Sequence, residues 1–185
     1  MAPIRIQVTA MGTNVLLTGT PGVGKTTLIR KSLDRLDVRC GGFYTDEIRE
    51  GRRRVGFGIV SLAGDRGILA HVDIKSRSRV GRYGVNVDDI ERIGVRALEG
   101  ALRDSDLIVI DEIARMELYA PSFKRMVICC LDSPKPVLGT IQERKDPFLA
   151  DIRRRDDVTV VRVTEANRDA LVPRILDALG TITSL

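Results

Sequence analysis

Eight consecutive residues, Gly19-Thr20-Pro21-Gly22-Val23-Gly24-Lys25-Thr26, restrict this chain more than any other stretch, because they match G-x-x-x-x-G-K-[ST] at every position. Glycines at these points let backbone N–H groups close around an anion where side chains would block the approach. The run Asn14-Val15-Leu16-Leu17-Thr18 ahead of them reads as a strand buried on both faces. Thr27, Leu28, Ile29 and Leu33 behind them read as a helix, whose positive end then points at the same anion. Strand, glycine loop and helix in that order place the chain in the α/β class and give it a phosphate-bearing ligand.

The rest of the chain extends that frame. Residues 42–73 predict three hairpin-linked strands, Gly42 to Arg49, Arg53 to Leu62 and Gly67 to Asp73, with turns at Glu50-Gly51 and Ala63-Gly64-Asp65. This antiparallel meander (about residues 42–73) is set beside an otherwise parallel sheet. Residues 74–86 are rich in Arg, Ser and Gly and read as a loop. Asp88-x-x-Glu91 resembles a capping box for a helix with Ile90, Ile93, Ala97, Leu98 and Ala101 on one face. Leu107 to Ile110 predicts a buried strand, Pro121 to about Leu131 a helix with Pro at its first turn, and Val137 to Ile141 a strand. Pro147 to Arg155 predicts a short helix, Val158 to Val163 the last long strand, and Thr164-x-x-Asn167 the opening of a closing helix through Leu179. Alternation of strand and helix predicts a three-layer α/β fold with a mostly parallel central sheet. At 185 residues the chain suits one domain, in which residues 1–10 form either a loose leader or an extra edge strand.

Asp111-Glu112 is the second chemical feature. A carboxylate at the C-terminal end of a buried strand is placed to hold magnesium through water, since Mg²⁺ dehydrates reluctantly. Asp111 and the Thr26 hydroxyl are the candidate Mg²⁺ ligands, and Lys25 the mobile cation for the β- and γ-phosphates. The contact set of the phosphates is Gly19, Thr20, Pro21, Gly22, Val23, Gly24, Lys25, Thr26 and Thr27. Glu112 follows Asp111 onto the other side of the pleat, where it can polarise a water in line with the γ-phosphate. Tandem acids of this kind go with one strand inserted between the two motif strands, by analogy with other P-loop folds. Val137 to Ile141 is the candidate, with Thr140 or Gln142 at its end as a γ-phosphate sensor.

Composition narrows the alternatives. No run approaches 18 apolar residues, so no membrane span is expected, and no secretion signal opens the sequence. Cys40, Cys129 and Cys130 form no Cys-x-x-Cys pair and read as small hydrophobes; the single histidine, His71, builds neither a metal site nor a triad. A cytoplasmic address follows, with a monomer as the expected state. The net charge of +5 from 30 basic and 25 acidic residues suits polyanionic ligands and permits nucleic-acid affinity without indicating it. Arg52 to Arg54, the group Arg77, Arg79 and Arg82, and Arg153 to Arg155 are the basic clusters.

Taken together, the stretches GTPGVGKTTL, GGFYTDEIREGRRRVGF, RVGRYGVNV, LIVIDEIARMEL, KPVLGTI and VTEANRD resemble the nucleoside-triphosphatase family first described as nucleotide kinases in thermophiles, whose human relative is called cancer-related nucleoside-triphosphatase. The resemblance spans about residues 14 to 179. It implies a RecA-like P-loop fold and Mg²⁺-dependent hydrolysis of several nucleoside triphosphates to diphosphate and phosphate. The family pattern DEIGKMEL differs here at Ala114 and Arg115. Arg115 keeps the charge and either neutralises the γ-phosphate as an arginine finger does or pairs with Glu117. Asn167 and Arg168, where the last strand meets the last helix, either border the base or, for Asn167, cap the helix. Tyr83 either stacks on a base or packs. Two rival readings remain: a nucleotide or nucleoside kinase with Arg77 to Arg82 as its lid, and a nucleotide-switched RNA-binding module.

Overall fold

In a computed structural model of the chain, residues 14–179 are described together with the backbone of Ile6–Val8 and Thr181–Thr183. Nine strands form one mixed sheet. In chain order they are β2 (Asn14–Thr18), β3 (Cys40–Glu50), β4 (Arg53–Ser61), β5 (Arg66–His71), β6 (Arg79–Val80), β7 (Tyr83–Val85), β8 (Leu107–Ile113), β9 (Val137–Ile141) and β10 (Val158–Arg162). Across the sheet the order is β10-β2-β9-β8-β3-β4-β5-β7-β6. The pairs from β10 through β3 are parallel, and those from β3 to β6 antiparallel. The expected meander is therefore present, and β9 is the strand inserted between β2 and β8. The helices are α1 (Lys25–Leu33), α2 (Val87–Asp89), α3 (Arg96–Asp104), α4 (Pro121–Leu131), α5 (Pro147–Arg153) and α6 (Leu171–Ala178).

The pleat of the central strands divides the core in two. Val15, Leu17, Leu107, Val109 and Leu138 face one layer, packed on Leu28 and Ile29 of α1 and on Leu171, Val172 and Ile175 of α6. Leu16, Ile108, Ile110, Val137 and Ile141 face the other, with Leu98 of α3, Phe123 and Val127 of α4, and Leu149 and Ile152 of α5. Continuous apolar runs in β2, β8 and β9 follow from burial on both faces, which a parallel sheet between helical layers imposes. Among the described residues no helix is long and apolar enough to cross a membrane.

Four local expectations are corrected. Ile6–Val8 (β1) pairs antiparallel with Thr181–Thr183 (β11) in a separate two-stranded sheet, so it is not an edge of the main one; residues 1–5, 9 and 10 of the expected leader lie outside the described residues. The segment 74–86 carries β6 and β7, because a tight turn at Gly81 closes a hairpin onto β5. Asp88 does not cap the following helix: Asn86 is the N-cap, its side chain accepting from the Asp89 amide at 3.3 Å. That helix also passes through a π turn, Ile90–Val95, between α2 and α3, and there Ile90, Ile93, Gly94 and Val95 are all buried. Finally, Asn167 turns backward. Its Oδ1 accepts from the Thr164 amide at 2.8 Å and its Nδ2 donates to the Arg162 carbonyl at 2.9 Å, with no side-chain bond into the helix.

Candidate active site

The C-terminal ends of β2, β8 and β9 meet at one point, and β3 runs past them. Tyr44, opposite Asp111, is the last β3 residue paired with β8. Thr45 to Glu50 continue in register with β4 alone. At about 3.4 Å per residue these residues carry the hairpin about 20 Å beyond its last pairing with β8. A cavity of about 640 Å³ lies between the overhang and the glycine loop.

The loop is built as its sequence requires. Gly19 has φ +144°, and a Cβ there would stand 2.5 Å from the Val163 carbonyl oxygen, so only glycine fits against β10's exit. Gly24, the N-cap of α1, has φ +108°. Lys25 opens α1 and donates from Nζ to the carbonyls of Gly19 at 3.0 Å and Thr20 at 3.3 Å, which lays its ammonium along the loop. Gly19 to Gly22 and Gly24 to Thr27 line the cavity. Val23 does not: it is buried beneath the loop in the α1–α6 core, where it holds the loop down.

Asp111 projects from β8 on the α1 side of the sheet, in step with Leu107 and Val109. It is 2% exposed. Thr140 of β9 donates to its Oδ1 at 2.8 Å, and Thr26 lines the cavity with it. Oδ2 is buried without a hydrogen-bond partner. Burial raises the Asp111 pKa, opposed by the Thr26 and Thr140 hydroxyls and by the charges of Lys25 and Arg30. A carboxylate oxygen and hydroxyl oxygens at one point are donors of the kind a hard dication takes. Thr140, expected as a sensor, is thus spent on orienting Asp111 and does not line the cavity. Gln142 does line it. Its Oε1 accepts from the Arg115 amide at 3.2 Å, and its carbonyl accepts from Arg153 Nη1 at 2.7 Å.

Glu112 follows Asp111 at an irregularity of β8 between Ile110 and Ile113 and lines the same cavity. Burial raises its pKa, Lys25 opposes, and the charge of Asp111 adds to the rise. Glu117 was missed as a site residue. It begins the 3₁₀ turn Glu117–Tyr119, lines the same cavity, is 2% exposed, and has an unpartnered Oε2. Burial, then the charge of Glu112, push its pKa well above the ordinary carboxyl value, although backbone amides of Glu117 and Ala114 favour the anion. Its signal in the sequence was an acid inside the otherwise apolar Met116-Glu117-Leu118.

The remaining candidates divide. Arg115 lines the cavity, and Glu117 takes backbone amides rather than the guanidinium as its hydrogen-bond partners. Asn167 and Arg168 lie outside the cavity, although Arg168 Nη1 reaches the Val23 carbonyl at 3.5 Å behind the loop. Tyr83 packs edge-on against Phe57 at 5.2 Å rather than lining the cavity. The basic clusters are largely occupied: Arg54 with Glu47, Arg79 with the Arg82 carbonyl, Arg153 with the carbonyls of Gln142 and Arg144, and Arg155 with Asp132 and Asp157. The Arg77 to Arg82 segment is pinned further by Tyr119, whose hydroxyl donates to the Arg79 carbonyl at 2.9 Å, so it is not built as a free lid.

Comparison with known proteins identifies the family of the chain. The model of the NTPase family matches residues 14–176. The chain is 50% identical to the nucleoside-triphosphatase THEP1 of Thermotoga maritima, over 89% of this chain and 94% of the relative. It is 42% identical to the human cancer-related nucleoside-triphosphatase, over 90% of this chain and 96% of the relative. The crystal structure of THEP1 from Aquifex aeolicus superposes with a TM-score of 0.82 at 36% identity, covering 90% of this chain and 98% of that one. The family match spans the glycine loop, both strand-end acids and the inserted β9, and the chain belongs to the NTPase family.

Proposed function

We propose that the chain hydrolyses nucleoside 5′-triphosphates (ATP, GTP, CTP and UTP alike) to the diphosphate and phosphate, at a RecA-like P-loop site that requires magnesium. Its relatives carry the name nucleoside-triphosphatase. The observation that carries the reading is Asp111, held at Oδ1 by the Thr140 hydroxyl with its other oxygen buried and unpartnered, beside a glycine loop and two further carboxyls.

The loop amides and Lys25 hold the phosphates, and their contacts go to phosphate rather than to base, which gives the broad base tolerance. Asp111 and Thr26 fit magnesium, Asp111 through water, and the bound ion supplies charge neutralisation on the β- and γ-phosphates. Glu112 orients a water in line with the γ-phosphorus and takes its proton as the bond to the β-phosphate oxygen breaks. Glu112 is suited to this because it lines the cavity and the charge of Lys25 favours its ionised form. Burial and the neighbouring charge of Glu112 favour the neutral form of Glu117. Arg115 and Gln142 face the γ-phosphate end from the β8 and β9 termini. Three free thiols, Cys40, Cys129 and Cys130, suit a reducing cytoplasm, and the enzyme acts there as a monomer.

Phosphorus NMR of ATP incubated with enzyme and magnesium tests the reaction type. Diphosphate and inorganic phosphate in equal amounts are expected, also when nucleosides or monophosphates are added. Phosphate appearing on an added acceptor in place of free phosphate would make the protein a kinase.

A further inference from the structure

The cavity lining reaches from the glycine loop to the meander, and its two ends differ in chemistry. At one end lie the loop amides and Lys25. Beyond Asp111 and Glu112 the lining continues over the meander to Glu47, Arg54, Phe57, Leu69, Val80 and Met116. Asn167 and Arg168, where the base of a loop-bound nucleotide was expected, are on neither end. The far lobe therefore extends past the terminal phosphate, not along the nucleoside.

Its walls select a ligand class. Leu69 is buried and Phe57, Val80 and Met116 are partly covered, so the floor is apolar. Phe57 is held from two directions, by the Tyr83 ring edge-on at 5.2 Å and by the Arg54 guanidinium 4.9 Å from its centroid. The Arg54 guanidinium lies over one face of the Phe57 ring, and this layered pair gives a planar ring a surface to stack on. Glu47 is joined to Arg54 at 2.6 Å and to Arg49 Nε at 2.8 Å, one carboxylate shared by two guanidiniums whose remaining N–H groups suit hydroxyl oxygens. Asp111, Glu112 and Glu117 border the lobe, which disfavours a second polyanion. A planar, uncharged ring bearing hydroxyls satisfies every wall. The cavity volume of about 640 Å³ falls inside the ordinary range for ligand cavities, about 300 to about 1,000 Å³.

We infer that the meander lobe, built on Phe57, Arg54, Glu47 and Val80, binds a second small molecule of the nucleoside class beside the terminal phosphate of a loop-bound triphosphate. The inference rests on the proposed triphosphate site. The probe is adenosine, titrated calorimetrically into protein saturated with magnesium and the non-hydrolysable AMP-PNP. Saturable binding is expected, weakened at least about tenfold in Val80→Trp, which fills the lobe, and in Phe57→Ala, which removes the platform, while AMP-PNP affinity stays within about twofold. Two variants at partly exposed positions guard against a folding failure in one. Adenosine that fails to bind the AMP-PNP-loaded protein, or binds both variants as well as the wild type, overturns this inference and leaves the triphosphate site standing. Loss of AMP-PNP affinity in step with that of adenosine also overturns it, because the lobe would then hold the nucleotide's own nucleoside. Absence of AMP-PNP binding to the wild type overturns both.

Discussion

Thr140 donates its hydroxyl to Asp111 Oδ1 at 2.8 Å across the β8–β9 pair, and both residues are buried. A hydrogen bond to a charged, buried group contributes about 1.5–3 kcal/mol, so this contact fixes which Asp111 oxygen remains for a metal. Replacing Thr140 with the isosteric Val is expected to raise the magnesium concentration for half-maximal turnover by about tenfold and to lower the melting temperature, while Ser restores both. Magnesium titrations of the two variants check this; an unchanged magnesium requirement in Thr140→Val removes Thr140 from the site.

Glu112→Gln is expected to keep nucleotide binding and to reduce hydrolysis at least about tenfold, since a positioned general base contributes about 10²- to 10⁴-fold. Glu117→Gln keeps a hydrogen-bond donor and a neutral charge, so its loss should be smaller than that of Glu117→Leu. Single-turnover phosphate release measured beside fluorescent-nucleotide affinity separates these variants.

The raised carboxyl pKa values also predict a pH dependence of stability without nucleotide or metal. The Glu117 carboxyl has an ordinary pKa of 4.5 and a folded value well above it, so the folded state binds the proton more tightly than the unfolded chain. Its stabilising contribution is complete below 4.5 and is lost as pH rises through the raised folded value. Asp111 and Glu112 shift in the same direction and act with the same sign. Melting temperature followed upward from pH 4.5 should therefore fall less in Glu117→Gln than in the wild type.

Arg153 ties α5 to the Gln142 and Arg144 carbonyls at 2.7 and 3.0 Å. Arg153→Met is expected to preserve the fold, because Leu149 and Ile152 anchor α5, and to lower turnover about three- to tenfold by loosening Gln142, an effect of about 0.7–1.4 kcal/mol on the barrier. Turnover equal to wild type would detach Gln142 from the reaction.

What could be read from the sequence is what chemistry imposes on neighbouring residues. Gly19 to Thr26 and Asp111-Glu112 are contiguous, and their strands are marked by runs of residues buried on both faces. Glu117 escaped because its burial comes from the turn that packs it against the end of β8, a tertiary event that spacing does not encode. Strands β6 and β7 escaped because they are only two and three residues long within a segment rich in Arg, Ser and Gly, and the hairpin is held from outside by Tyr119. Asn167 looked like a cap by residue type, yet its side chain closes the turn behind it. The overhang of β3 beyond Tyr44, which creates the second lobe, depends on where the β8 partner stops.

The most direct test is inorganic phosphate released from ATP, GTP, CTP and UTP by the wild type and by Lys25→Ala, each with magnesium and with chelator. Release from all four with magnesium, little with chelator, and loss of most activity in Lys25→Ala are predicted. Phosphate released equally by Lys25→Ala, or none released by the wild type from any of the four, would contradict the assignment of this loop and its acids as a triphosphate-hydrolysing centre.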